Sequence, residues 1–479
     1  MMQTINADIV IIGAGSGGLS LAAGAAQMGA HVVMFEGGEM GGDCLNTGCV
    51  PSKALLAASK AAYNARSKAN FGVRVADTKI DFATAKKYVD SVIAKIAPHD
   101  SVSRFTSLGV TVISEYARFK TAHIVVSDTY EVRAKYIVIA TGSTALIPPI
   151  PGLDKVPYHT NETIFTDYDK PDHLVIIGGG PIGVEMAQAH NRLGAKVTIV
   201  EALAVMGRDD QELVNILKQQ LMHEGVTIIE GAGVTKIDQN TDSSPQRDKK
   251  IIVRLADGQV LHASHLLVAI GRRPTIDRLD LDMAGIDHNT KGIITNKRLR
   301  TNKKHIYAIG DVAGRQQFTH IAGYHAGIVI RNILFKLPAK IDNSAVPWVT
   351  YCDPELAHVG VTITEASAKY GAHNISIFTS PLADNDRAIA ESRTEGMVKV
   401  ITHKKGRILG ASILAPAAGE MILAWAVAIT AGQKMSTMAS VIAPYPTYGD
   451  ASKRVAGSFY TEKLFSPRIK RLVQFLLKF

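Results

Sequence analysis

The sequence predicts an α/β protein: two parallel-sheet domains of strand–helix–strand type, followed by a smaller C-terminal α+β domain. Three observations predict it. The first is an ungapped internal repeat, in which "DIVIIGAGSGG...MGAHVVMFE" aligns with "HLVIIGGGPIG...LGAKVTIVE" at a constant offset of 165 residues. The second is a set of apolar strands that end in glycine: "YIVIATGSTA" (136–145), "LLVAIGRRPT" (266–275) and "HIYAIGDVAG" (305–314). The third is a change of pattern from about Val346 onward. There short strands ("MVKVITHKKGRILGASIL") alternate with apolar helices ("GEMILAWAVAITAG"), and no glycine-turn signature recurs.

Each repeat reads as an apolar strand, a glycine turn, a helix with small residues and a second strand ending in an acid. Gly13, Gly15 and Gly18 fall on Gly178, Gly180 and Gly183, Gly17 falls on Ile182, and Glu36 falls on Glu201. The first glycine permits the tight turn, the second lets backbone approach a pyrophosphate, and the third lets helix pack on strand. The helix start offers unpaired N–H groups and a positive dipole to phosphates. The acid accepts hydrogen bonds from ribose hydroxyls. Two such copies predict two Rossmann-like dinucleotide sites.

The glycine-ended strands at Gly142 and Gly271 close the two nucleotide units. Asp311, in the third strand of this kind, is placed to hydrogen-bond a second ligand hydroxyl such as a flavin's ribityl chain; the plainer reading is a helix N-cap. The polar stretch "DQNTDSSPQRDKK" (238–250) reads as an exposed hairpin loop.

Composition narrows the class. The chain has 479 residues, 46% hydrophobic and 20% charged, which suits about three globular domains. Three cysteines exclude a secreted disulfide framework. The N-terminus runs almost at once into a strand, with no signal-peptide pattern, and this reads as a cytosolic protein. No apolar run reaches the length of a membrane span, and "MILAWAVAITAG" (421–432) reads as a buried helix. The net charge of +10 suits anionic partners such as nucleotides. The basic residues are dispersed and no nucleic-acid motif accompanies them, so nucleic acid is not an expected partner.

Two of the three cysteines, Cys44 and Cys49, lie in "GGDCLNTGCVPSK" (41–53), soon after the first nucleotide motif. A redox pair, half of a metal site and two buried small residues are the alternatives. Cys49 stands just before the helical "PSKALLAASKAA", and a helix start together with Lys53 stabilises a thiolate. No four-cysteine set and no histidine at finger-like spacing accompanies the pair, so no metal site is expected.

The chain resembles the pyridine nucleotide–disulfide oxidoreductases, the flavoprotein family that includes dihydrolipoamide dehydrogenase, glutathione reductase and mercuric reductase. The resemblance runs from "DIVIIGAGSGG" to "PYPTYGDASKR" through "IATGS", "GGGPIGVE", "AIGRRP", "AIGDVAG" and "YCDPELAHVG". It implies FAD on the first motif, NADH or NADPH on the second, and a C-terminal interface domain that makes a homodimer. The implied divisions are 1–150 and 276–345 for FAD, 151–275 for the nicotinamide nucleotide, and 346–479 for dimerisation. It further implies that electrons pass from NAD(P)H through FAD to a Cys44–Cys49 disulfide and on to a small-molecule acceptor. Cys49 faces the flavin and Cys44 the substrate, with Lys53 and Glu185 as an ion pair near the isoalloxazine. Ser16, Gly17, Asp43, Thr141, Gly142, Asp311 and Thr319 fall at FAD-contacting positions.

Three departures stand out. Many relatives carry Thr where this chain has Asp43, and a carboxylate near a pyrophosphate requires solvent or a cation. Relatives acting on dithiols carry a His–Glu pair where this chain has Tyr445 and Asp450. A tyrosine of ordinary pKa is a poor base, which disfavours dihydrolipoamide and glutathione. Mercuric reductases share a tyrosine there but end in a cysteine pair, whereas this chain ends "VQFLLKF".

Glu201 favours NADH, because a carboxylate repels a 2′-phosphate, while Arg208 keeps NADPH open. Cys352 reads as a buried small residue. The tail "SPRIKRLVQFLLKF" sets Ile469, Leu472, Val473 and Leu476 on one helical face, for packing on the dimer or weak contact with a membrane surface. Two competing activities remain: a diaphorase or quinone reductase with bystander cysteines, and a non-enzymatic redox sensor.

Overall fold

The computed structural model describes residues 2–67, 71–73, 75, 78–239 and 251–479. The chain forms two compact units, one of residues 1–202 and 231–341, the other of 203–230 and 342–479.

The first unit is built on strand β1 (Gln3–Ile12), helix α1 (Ser16–Gln27) and strand β2 (Val32–Phe35). β1 is polar at its start and buried from Ile9 to Ile12, as a central strand covered on both faces must be. It pairs in parallel with β2, Ile9 opposite Val32, and with Tyr130–Ile139, Ile12 opposite Ile139. The strand Ile306–Ala308 then adds in parallel to Ile137–Ile139. Residues 3–139 and 306–308 therefore share one sheet although more than 160 residues separate them. α1 and the helix Thr319–Ile333 pack on it through Leu21, Ala22, Ala25, Ala326 and Val329. Small residues on both helices permit that close approach. Each fully buried valine or leucine contributes about 1.5–3 kcal/mol.

The second copy of the repeat folds the same way within this unit. Strands His173–Ile177, Lys196–Glu201 and His265–Val268 are parallel, with helix Pro181–Arg192 between the first two. Strands Val234–Gln239, Ile251–Leu255 and Val260–Ala263 form an antiparallel meander, Gln239 pairing with Ile251. Most of the loop expected at 238–250 lies outside the described residues.

The second unit holds a five-stranded antiparallel sheet in the order Pro347–Thr350, Glu355–Gly360, Ile408–Ala415, Met397–His403, Ile375–Pro381. The helices Ala418–Thr430 and Asp450–Leu464 cover it, with Trp425 fully buried. One expectation needs correction. The helix Ala418–Thr430 is buried only on its sheet face, while Leu423 and Val427 on the opposite face are 63% and 60% exposed. The tail forms the helix Pro467–Leu476, capped by Ser466, and its apolar residues Leu472, Val473 and Leu476 are likewise uncovered. Among the described residues no helix is long and apolar enough to cross a membrane.

Candidate active site

Both glycine loops show the geometry that the repeat demands. Gly13 and Gly178 turn the chain at φ +106° and +112°, where a side chain is strained. A Cβ at Gly18 would lie 1.9 Å from the Gly13 carbonyl oxygen, and one at Gly183 would lie 2.0 Å from that of Gly178. At Gly15 and Gly180 a Cβ would instead meet nothing within 4 Å. The acids repeat as well: Ala14 N–H donates to Glu36 Oε2 at 2.6 Å, and Gly179 N–H donates to Glu201 Oε2 at 2.8 Å. Each loop is therefore an open backbone cradle at a helix start with a carboxylate beside it, and the residues fit a dinucleotide at both. Gly17 and Ser16 sit in the first turn of α1, and Ile182 in the first turn of its counterpart.

The cysteine segment lies on the first cradle. Gly41 N–H donates to the Ala14 carbonyl at 3.0 Å, and Gly41 bridges Gly15. Gly42 has φ +59°, and a Cβ there would come within 2.9 Å of Gly15 Cα. This close approach explains the double glycine before the cysteines. Cys44 belongs to a short helix α2 (Gly42–Asn46), and Cys49 is the first residue of α3 (Cys49–Ser67) rather than a residue preceding it. Cys49 Sγ lies 3.3 Å from Thr319 Oγ1, at the start of the helix Thr319–Ile333.

Both cysteines are in the reduced form, and they hold their protons unequally. The hydrogen bond from Cys44 pulls Cys49 down to about 6, against desolvation, with help from the Thr319 hydroxyl and the Lys53 charge. The same bond, together with burial, pushes Cys44 up. The thiolate thus belongs to Cys49 and the proton to Cys44.

One turn into α3, Lys53 Nζ pairs with Glu185 Oε2 at 2.9 Å. The bond ties the cysteine helix to the helix that opens the second cradle. The Glu185 side chain is only 6% exposed, so the pair gives a buried carboxylate its cationic partner.

Of the two partners expected for Asp43, solvent or a cation, the structure supplies a cation. Arg272 Nη2 stands 3.2 Å from Asp43 Oδ1, which also accepts from Thr47 Oγ1 and Asn161 Nδ2, both at 2.8 Å. Arg272 Nε donates to Ser143 Oγ at 2.8 Å, and that hydroxyl donates to Asp311 Oδ2 at 2.6 Å. Asp311 lies inside the 3-10 turn Gly310–Ala313, whose N-cap position is Ile309, and burial raises its pKa above the usual carboxylate value. Thr141 Oγ1 donates to the Thr275 carbonyl at 2.7 Å, while the Gly142 carbonyl accepts from Thr275 N–H. The Gly271 carbonyl accepts from Leu146 N–H. Arg272 was not singled out from sequence, although it stands inside the quoted "AIGRRP".

In the second unit, Tyr445 does not bond to Asp450. Its hydroxyl donates to Asp386 Oδ2 at 2.7 Å, and that bond raises its pKa. Asp450 opens the helix Asp450–Leu464 and lies 3.5 Å from Arg454. Asp386 stands 59 positions from Tyr445, and no spacing signals the pairing. Cys352 is buried, as expected.

Two dinucleotide cradles with a thiol pair laid on the first define a nucleotide-dependent dithiol oxidoreductase. Comparison with known proteins agrees. The family model "Pyridine nucleotide-disulphide oxidoreductase" matches residues 7–326, and the dimerisation domain of the same family matches 346–456. A mercuric reductase of Streptomyces lividans is 33% identical, covering 95% of this chain and 96% of its own length. A dihydrolipoyl dehydrogenase of Geobacillus stearothermophilus is 32% identical, covering 94% and 96%. The HOCl-induced flavoprotein disulfide reductase RclA of Escherichia coli, in its Cu(II) complex, is 29% identical with a TM-score of 0.84, covering 94% of this chain and 99% of that one.

The chain belongs to the pyridine nucleotide–disulfide oxidoreductase family. It is an FAD-dependent enzyme that takes electrons from a pyridine nucleotide and passes them through a redox disulfide to a small acceptor, and its dimerisation domain makes it a homodimer.

Proposed function

We propose that Cys44 and Cys49 are the redox pair and that the enzyme reduces a thiophilic metal ion or similar small oxidant at the expense of NADH. One observation carries the pairing: the cysteine segment lies on the first cradle, with Cys49 Sγ 3.3 Å from Thr319 Oγ1 and one turn before the Lys53–Glu185 ion pair. The mutual influence of the two sulfurs, which lowers the Cys49 pKa and raises that of Cys44, agrees with it. Bound FAD supplies hydride acceptance and two-electron delivery to a disulfide.

The protein's part is positional. Gly15, Ser16, Gly17, Gly18, Glu36, Asp43, Thr141, Gly142 and Asp311 hold the first dinucleotide. Gly178, Gly180, Ile182, Gly183, Glu201 and Gly271 hold the second. The divisions 1–150 with 276–345, 151–275 and 346–479 are assigned accordingly. The net change balances: a hydride's proton and electron pair break the S–S bond, leaving a thiol at Cys44 and a thiolate at Cys49.

The carboxylate of Glu201 supports NADH over NADPH. Tyr445 and Asp450 are assigned to the acceptor side. With Tyr445 bonded to Asp386 and its pKa raised, the chain offers no ready base for a dithiol substrate at that position. The mercuric reductases and the copper complex of RclA are the relatives that this reading favours. Exposed Leu423 and Val427 support a dimer interface on that helix. The apolar tail is assigned to the same kind of packing rather than to a membrane surface, and the site of action is assigned to the cytosol.

An anaerobic NADH titration of the holoenzyme tests the pairing. Uptake of more than one NADH per FAD, with long-wavelength thiolate–flavin absorbance that Cys49→Ser abolishes, is the expected result. Uptake of a single equivalent with no such absorbance, together with quinone reduction undiminished in Cys44→Ser, overturns it in favour of a diaphorase.

A further inference from the structure

A second cluster of ligand-type side chains lies in the first unit, apart from the cysteines, at His159, Asp167 and His265. Its ligand atoms all lie within 4.8 Å of one another. His159 Nε2 stands 3.0 Å from Asp167 Oδ2, and His265 Nε2 stands 3.3 Å from the same oxygen. We propose that His159, His265 and Asp167 form a binding site for a borderline divalent transition-metal ion, of the class of Zn²⁺, Ni²⁺ and Co²⁺.

The backbone explains why the two rings converge. His159 N–H donates to the Leu266 carbonyl at 2.7 Å, and Val268 N–H returns a bond to the His159 carbonyl at 2.8 Å. His159 thus lies opposite Leu267 as a short parallel bridge. Side chains two apart on a strand share a face, so His265 rises on the same side as Leu267 and therefore beside His159. The imidazoles stack 6.0 Å apart with 12° between their planes.

Asp167 follows the 3-10 turn Ile164–Thr166 and is oriented by its own chain, since Asp169 N–H binds Oδ1 at 3.0 Å. Only Oδ2 is turned to the two rings. Metal–ligand bonds of about 2.0–2.1 Å in a tetrahedral site put ligand atoms roughly 3.3 Å apart. The two Nε2–Oδ2 separations match that edge.

The outer partners of a metal-binding histidine are also in place. His159 Nδ1 lies 3.3 Å from Thr163 Oγ1, and His265 Nδ1 lies 2.9 Å from Ser264 Oγ. Ser264 Oγ donates its proton to the His173 carbonyl at 3.2 Å, so its oxygen accepts from Nδ1–H of His265. The Nε2 of His265 then carries its lone pair toward the site, and Thr163 Oγ1 is placed to accept from Nδ1–H of His159 in the same way when an ion binds. Such outer hydrogen bonds fix ring orientation and raise ligand basicity. All three side chains are about one-fifth exposed, which leaves water access to a fourth coordination position. Nitrogen and carboxylate donors without sulfur favour borderline ions over soft ones. The proposed ion is thus distinct from a thiophilic substrate at the cysteines.

Equilibrium dialysis of the oxidised holoenzyme against Ni²⁺, followed by isothermal titration, tests the site. One Ni²⁺ per chain is expected, with affinity falling at least tenfold in His265→Gln and in Asp167→Asn. Ser264→Ala is expected to weaken binding by a factor on the order of ten. Retained flavin content and an unchanged melting temperature show that the variants fold, because the side chains are partly exposed. Cys44→Ser with Cys49→Ser is expected to leave the stoichiometry intact. Absence of Ni²⁺ from the wild type, affinity unaltered in His265→Gln and Asp167→Asn, or loss of all binding in the double cysteine variant each overturns the proposal.

Discussion

Replacing Cys44 by alanine removes the donor that most depresses the Cys49 pKa. In the reduced enzyme Cys49 is held at about 6 against an ordinary 9.0. The Thr319 hydroxyl and Lys53 supply smaller shares, so Cys44→Ala is expected to raise the midpoint by about two units. Cys44→Ser keeps an O–H donor and is expected to stay within about one unit of the wild type.

The assay is the rate of alkylation by iodoacetamide across pH on reduced protein, read as the pH midpoint. A single-pH rate would mislead. Raising the pKa from about 6 to about 8 cuts the thiolate fraction at pH 7 roughly tenfold, but a more basic thiolate is about eight times more nucleophilic, so the rates nearly cancel. A Cys44→Ala midpoint still near that of the wild type refutes the shared-proton account of the pair.

Further outcomes are expected at the glycine loops, the Lys53–Glu185 pair and the buried Lys86 and His190. Gly183→Ala pushes a Cβ into the Gly178 carbonyl; it should raise the KM for NADH more than about tenfold while flavin content stays normal, whereas Gly18→Ala should lose flavin. Glu185→Leu leaves Lys53 without its 2.9 Å partner. Because Lys53 is about one-third exposed, the cost read by urea unfolding is about 1–2 kcal/mol, below that of a fully buried pair.

Lys86, buried against Phe82 and Phe165, is brought down to about 8 by desolvation. The unfolded chain then binds the extra proton between about pH 8 and 10.5, so wild-type stability rises with pH across that window. Lys86→Met should be stabilising by about 1–2 kcal/mol at pH 7, after the loss of its bond to the Ile164 carbonyl, with the advantage gone near pH 10. His190 and His325 are buried and neutral, held at about 3 and about 4 by desolvation. Both pKa values are depressed, so their contribution is present above the unfolded value of about 6.5 and is lost as pH falls toward 3. His190→Gln should shift the acid-unfolding midpoint downward, as read by circular dichroism.

The sequence by itself determined whatever depends on backbone over short distances. Glycine positions fix the turns, apolar runs fix the strands, and a fixed offset repeats both, so Gly13 to Glu36 and Gly178 to Glu201 were readable as two cradles. The hydrogen bonds of Glu36 and Glu201 close each acid onto its own loop within 22 residues of chain. The cysteine segment was legible for the same reason, because its double glycine is a local demand of the approach to Gly15.

Tertiary structure alone decided the rest. Cys49 meets Thr319 across 270 positions, and Lys53 meets Glu185 across 132. The family resemblance supplied the second pair and not the first, and no spacing in this chain supplies either. Arg272 beside Asp43, Asp386 beneath Tyr445, and the convergence of His159, Asp167 and His265 had no sequence signal of their own. Each joins segments that become neighbours only when strands take their register. A charged or ring-bearing side chain carries no local mark of its partner; geometry between distant segments assigns it.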